Sequence, residues 1–341
     1  MFHLALLRAA RPGDARGAAD APPKPEVALF SRAVVVGWEI SEGFGLKAEL
    51  GAPGDLGDIV EASLLFPIPI GVERRTFSTA AVAGGQFQAA VNAKASLIVA
   101  VDYLIPFVYA DAGSDEKRLA NVEAELQRLG GTQIPLMLGT VPDLTSASKI
   151  LNPLVPPKFL PQPATLARIN ERIASWAREH TNVFLAPIAA EYAHIEAGEP
   201  FGVRASAWPK SWLSEMVQKD RVHTRMHGSI AAWLLGLDAL CTARKEIDPA
   251  SFDWSSNSIF RKVYASKDGQ RRAAATEIVD TLKLPPNRPP PGPPQRPLVD
   301  PDEEVRRKER GESDTPAHEE TDAERKAKKQ RGEQGHEDPP H

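Results

Sequence analysis

Asp220 and His223 are the residues of this chain whose types and spacing offer chemistry most directly. In a D-x-x-H segment the carboxylate can receive one imidazole N–H while the other ring nitrogen faces a substrate. That is the base-and-orienter pair of a hydrolytic triad. An Asp three residues before a His is also a common surface pair, so its place in the chain has to give it weight. Further acids fall where open α/β sheets put their chemistry, just past the carboxyl ends of strands. A strand that stops at Gly37 feeds a turn carrying Trp38, Glu39, Ile40, Ser41 and Glu42, and a second strand ends in Asp102.

The elements that must position these groups can be read from hydrophobic patterning. Residues 33–36 (AVVV) form a short apolar, β-branched run, followed by Gly37, Gly43 and Gly45. Residues 57–65 have helical spacing, residues 72–85 read as neither helix nor strand, and residues 86–94 place Phe87, Ala90 and Val91 on one helical face. A second buried strand, residues 96–101 (SLIVAV), leads to Asp102. Residues 114–129 form an amphipathic helix with Asp115 and Glu116 favourably placed in its first turn, ended by Gly130 and Gly131. Strands are expected at 134–141 and 182–188, a proline-rich loop at 153–163, and a helix at 165–180 with Leu166, Ile169, Ile173, Trp176 and Ala177 as its stripe. Residues 189–197 are expected to be helical and 202–210 a loop. The D-x-x-H loop then precedes a strongly apolar helix at about 228–241. Strand and helix alternate throughout, which predicts an α/β fold with a mainly parallel sheet covered on both faces.

Composition sets the boundaries. Of the 341 residues, those from about 284 onward are first proline-rich and then mixed charge with few apolar side chains, a composition expected to be disordered. The expected organisation is a flexible segment at 1–29, one domain at 30–245, an extension at 246–283 and the tail at 284–341, whose partner the sequence does not name. The formal net charge of −4 offers no general attraction to nucleic acid. The single cysteine, Cys241, lies on an apolar helical stretch and reads as core. The N-terminal apolar run covers only residues 4–7, too short for a secretory signal, and no stretch approaches the ~20 apolar residues of a membrane span. A soluble, cytoplasmic protein without a membrane span is the expectation.

One family pattern contains both the glycine-bounded turn after the first strand and a late D-x-x-H. In the SGNH, or GDSL, hydrolases the first block is G-D-S-x-S/T-x-G, and residues 34–45 resemble its variant form G-A-S-x-S-x-G-F-G. Gly37, Ile40, Ser41, Gly43, Phe44 and Gly45 fall in place, Asp220 and His223 match the last block, and the VPDLT segment and residues 168–185 resemble the middle of bacterial members. The resemblance covers roughly residues 30–243. It implies a three-layer α/β/α sandwich of flavodoxin-like kind and hydrolysis of a small-molecule carboxylic ester, with no metal or organic cofactor. In that scheme His223 is the general base, Asp220 orients it, and backbone N–H groups after Gly37 polarise the carbonyl.

The departures fall on the chemistry itself. The family's nucleophile position carries Glu39 and not serine. Where the family supplies an oxyanion-stabilising asparagine stands Asp102-Tyr103, and a carboxylate there would repel a developing oxyanion. The second-block glycine corresponds to Gly84 or Gly85. Several readings stay open: a hydrolase-derived fold that binds a ligand or partner without hydrolysis; Ser41 as substitute nucleophile; or Glu39 as nucleophile or as base with a water. A metal held by Glu39, Asp102 and His223 is a further alternative. His227 reads as a cap or surface residue, His180 and His194 as structural, and Trp208 and Trp212 as candidates to line an acyl or sugar pocket. Phe44 between two glycines makes no phosphate loop, since G-x-x-x-x-G-K-[ST] is absent.

Overall fold

All five residues of β1, Ala33–Gly37, are buried, and the strand lies inside the sheet between two neighbours. The computed structural model describes residues 23–150 and 155–281. The chain enters through α1 (Pro25–Leu29), whose Glu26 and Leu29 are buried. The end of the segment expected to be flexible is therefore helical, because Leu29 has a core to enter. Residues 1–22 and the tail at 284–341 lie outside the described residues.

After β1 the chain makes three helices: α2 (Glu39–Glu42), α3 (Leu46–Leu50) and α4 (Leu56–Ser63). Asp55 and Asp58 form a reciprocal capping box at the start of α4, satisfying donors the helix cannot. Then follow β2 (Glu73–Thr76), α5 (Ala80–Asn92), β3 (Leu97–Ala100), α6 (Ile105–Val108) and α7 (Asp115–Leu129), which Ser114 caps. β4 (Leu136–Gly139), α8 (Thr145–Lys149), α9 (Pro163–Glu179), β5 (Val183–Ala186) and α10 (Ile188–Ala197) continue the alternation. A small antiparallel hairpin, β6 (Phe201–Val203) and β7 (Ser206–Trp208), precedes α11 (Met226–Ala243). The described chain closes with α12 (Ser256–Ser266) and α13 (Asp268–Thr281).

The main sheet has the order β2-β1-β3-β4-β5 with every pair parallel. This is the doubly wound, flavodoxin-like order, and its topological switch point lies between β1 and β3. Helices α4, α11 and α12 pack together on one side, with α11 against β4 and β5; α5, α7 and α9 cover the other. The result is the three-layer α/β/α sandwich. Helix α11 is buried on nearly all sides, Cys241 included. The C-terminal extension is joined to this layer. Leu64 bridges Phe252, Asp253 N–H donates to Ser63 O at 2.7 Å, and Phe30 meets the rings of Trp233 and Phe252.

Three expectations need correction. The unassigned stretch 72–85 holds an entire strand, β2, whose sequence ERRT shows no apolar alternation because it is the sheet edge and every side chain is half-buried. Helix α5 begins at Ala80, before residue 86, so Gly84 and Gly85 are helix interior and not a turn. The loop expected at 202–210 contains the hairpin β6–β7.

Among the described residues no helix is long and apolar enough to cross a membrane. The tightest backbone approach that the sheet demands is at Gly139, where an added Cβ would lie 1.9 Å from Val101 O. A backbone oxygen cannot step aside, so Gly139→Ala should destabilise the fold by about 1–3 kcal/mol, read as a lower midpoint in urea.

Candidate functional site at the carboxyl ends of β1 and β3

Gly37 ends β1 without a side chain, and the space a Cβ would need is filled by Asp102 Oδ1 and Ser41 Oγ, each 2.0 Å from that position. The absence of that one carbon lets the start of α2 fold back over the end of β3. The backbone N–H groups at the helix start then point at Asp102. Ser41 N–H donates to Asp102 Oδ2 at 2.9 Å, Ser41 Oγ donates to Oδ1 at 2.6 Å, and Trp38 and Ile40 add backbone donors. Burial pushes the Asp102 carboxyl above its ordinary pKa, opposed by these four donors. The carboxylate fills a concavity of N–H groups of the kind that binds anions.

Asp102 therefore makes no oxyanion site, since it takes up the donors that such a site would use. Ser41, read as a possible substitute nucleophile, is fully buried with its hydroxyl donating to Asp102. Gly84 lies within α5, where its N–H belongs to the helix, its carbonyl accepts from Arg128 Nη1 at 3.0 Å, and the guanidinium covers its Cα. Gly84 is structural.

Glu39, the first residue of α2, points toward the late loop. Its Oε2 lies 2.9 Å from His223 Nε2, a close ion pair without the alignment of a good hydrogen bond. On the other side of the ring, His223 Nδ1 meets Asp220 Oδ2 at 2.5 Å. Asp220 is held by its own loop, its Oδ1 accepting from the N–H groups of Val222 and His223, both at 3.0 Å. Arg221 between them has φ +60°, a left-handed conformation costly for a side-chain-bearing residue. The turn is fixed from outside by Tyr192 Oη, which donates to Arg221 O at 2.6 Å. Phe44, 54% exposed, stacks on the imidazole with ring centroids 4.1 Å apart, leaving His223 4% exposed. Gln218 Nε2 ties this roof to the loop by donating to Phe44 O and Thr224 O.

Burial opposes charge on His223, but hydrogen bonding and charge from Glu39 and Asp220 outweigh it and hold the imidazole pKa above its ordinary value. The Asp220 carboxyl feels burial as well, yet its bonds from His223 and Val222 hold it below the ordinary range. The two facing carboxylates favour the protonated ring, and a ring that carries both protons cannot accept another. The proposed metal set is not assembled. His223 gathers Glu39 and Asp220, whereas Asp102 faces the start of α2, and no three-residue metal cluster occurs among the described residues.

Next to Glu39 opens an apolar cavity of about 50 Å³ lined by residues from β1's turn, α10, the late loop and α11. Trp208 and Trp212 are not among its walls. Trp208 is buried against Phe201, and Trp212 stands beside His227, which Phe260 stacks from another side. His227 is thus half-buried between two aromatic rings. His180 Nδ1 donates to Trp176 O, and His194 pairs with Glu199. Sequence reasoning missed Phe44 as the roof and Glu191 and Tyr192 as site-facing residues. The one available signal was an acid, Glu191, in the otherwise apolar start of α10.

Because His223 has a raised pKa in the folded state, its pairing stabilises the fold below the unfolded pKa near 6.5, and that contribution is lost as pH rises through the folded value. Glu39→Gln should lower the His223 pKa in an NMR titration and shrink this loss of stability on the alkaline side. Ser41→Ala should cost about 1–3 kcal/mol in chemical denaturation by leaving Asp102 under-bonded. An unchanged midpoint would contradict the role assigned to that hydroxyl.

No family model matches the chain, and no curated protein matches it. Among solved structures it is similar to a lipase/acylhydrolase from Enterococcus faecalis, at 15% identity and TM-score 0.40, over 64% of this chain and 97% of that one. It is also similar to a protein assigned to the lipolytic G-D-S-L family from Desulfitobacterium hafniense, at 13% identity and TM-score 0.36, over 61% and 97% of the two chains.

Proposed function

We propose that this protein keeps the base-and-orienter pair of an ester hydrolase without its nucleophile, and uses the cavity beside Glu39 to bind a small molecule that it does not hydrolyse. The observation that carries this reading is the 2.9 Å approach of Glu39 Oε2 to His223 Nε2. In a serine hydrolase the base nitrogen faces a hydroxyl whose proton it can take. Here it faces an anion, which favours the charged ring and leaves no proton to be abstracted. Ser41 is buried beneath and bonded elsewhere. Attack by Glu39 on an ester carbonyl would give an anhydride, a more reactive acyl group than the one consumed, so ester hydrolysis through Glu39 is not favoured.

The disposition of Asp102 bears on how far the site stands from activity. Trp38, Ile40 and Ser41 N–H groups are spent on its carboxylate, so restoring a hydroxyl alone leaves the tetrahedral oxyanion poorly supported. Hydrolysis of short p-nitrophenyl esters tests both points. The native protein should show no turnover above that of His223→Ala. Glu39→Ser should gain measurable hydrolysis, and adding Asp102→Asn to it should raise the rate further, by up to ~10²-fold. Native turnover that disappears in His223→Ala would overturn the proposal.

A further inference from the structure

The cavity beside Glu39 is uneven in its chemistry. Ile40, Ile105, Leu144, Ile188, Val222 and Leu235 supply apolar wall, and the ionisable groups facing it with a charge to offer are two carboxylates, Glu39 and Glu191. Tyr192 Oη is spent on Arg221 O, and the Thr224 hydroxyl is paired with Ser229. Glu39 shares its charge with His223. Glu191, in the first turn of α10, differs: its Oε2 is buried and has no hydrogen-bond partner among the described residues. Burial pushes its pKa up, with slight relief from His194 one turn along the same helix. A buried carboxylate oxygen without a donor is costly, and a ligand that supplies the donor recovers that cost.

Three ligand types separate on this wall. A carboxylate would meet two like charges in an apolar setting. A neutral ester could fill the space but brings no donor, and an alcohol brings a donor without a charge. An ammonium on an apolar body satisfies both the walls and the orphaned oxygen, and aromatic surfaces from Trp38 and Phe201 stand in the same lining. The cavity's 50 Å³, in a measure where a single water needs roughly 10–15 Å³, suits a short chain.

We propose that this cavity is a binding site for a small organic amine, with Glu191 as the ionic partner of its ammonium group and the apolar wall as the bed for its hydrocarbon. The proposal rests on the reading that the site binds without hydrolysing, and it names the ligand class for that site.

The test uses n-butylamine, 1-butanol and butyrate, which share a four-carbon chain and differ in charge. Each is titrated at pH 7 into the full-length protein and into Glu191→Gln, followed by methyl NMR shifts of the lining Ile and Leu residues. Butylamine should bind the native protein at least tenfold more tightly than butanol, with butyrate weakest. Glu191→Gln should lose the preference for amine while keeping butanol binding, which also reports that the variant is folded. Equal binding of amine and alcohol by the native protein, or a preference that survives in Glu191→Gln, would sink the proposal. Nα-acetyl-lysine amide serves as a further arm: Glu191-dependent binding tighter than butylamine supports the ammonium site and assigns its source to a peptide side chain. The ester assay remains separate, because turnover by the native protein removes the non-hydrolytic reading without altering the order of amine and alcohol.

Discussion

A carboxylate buried under the first turn of a short helix sets the geometry on which the site depends. Asp102 stands at the end of β3, 1% exposed, and is tolerable there only because the chain beyond β1 bends to offer it backbone and hydroxyl donors. That bend needs Gly37 to have no Cβ and Ser41 to face inward. With Ser41 turned in, the helical register places Glu39 on the opposite side, toward the late loop. One buried anion thus decides which side chain of α2 meets His223. Its donors belong to both the strand end and the helix start, so α2 cannot rotate without leaving a desolvated carboxylate unpaired.

The second anion-centred arrangement follows from the first. His223 is confined between Glu39 and Asp220 and roofed by Phe44, so its charge is shielded from water on every side named. The two clusters share α2 but have opposite character: one stores a carboxylate among neutral donors, the other stores a cation between carboxylates. A catalytic serine site needs the reverse of both, with donors left vacant for an oxyanion and a base left neutral.

Much of this architecture was legible in the chain. The buried runs AVVV and LIVA have no polar face, and their shortness and β-branched residues mark them as strands of a covered parallel sheet, with the alternation with helices fixing the layers. The D-x-x-H spacing correctly placed Asp220 against His223, because three residues of loop suffice to bring the two together. What could not be read was direction. Ser41 and Glu39 differ by two positions on one turn, and only the depth of Asp102 decides which points outward. Edge strand β2 was hidden for a related reason: half-buried on both faces, its ERRT sequence satisfies Asp55, Asp58 and Glu61 through Arg74, so charge and not hydrophobicity marks it. Glu191 carries no motif. Its significance comes from walls contributed by residues far away in sequence.

The C-terminal extension has a consequence for how the molecule is made. Ser251 Oγ donates to Glu26 Oε1 across 225 positions, and Trp233 Nε1 donates to Ser63 Oγ across 170. One face of the sheet is thus closed by helices late in the sequence, over segments that come much earlier in it. Until α11 and the segment around Phe252 emerge, β4, β5 and α4 keep an uncovered apolar side, and closing loops of that length is entropically slow. A nascent chain halted before residue 226 would lack α11 and α12 and so most of one layer, and the aromatic cluster of Phe30, Trp233 and Phe252 is the latch whose closing ends that exposure.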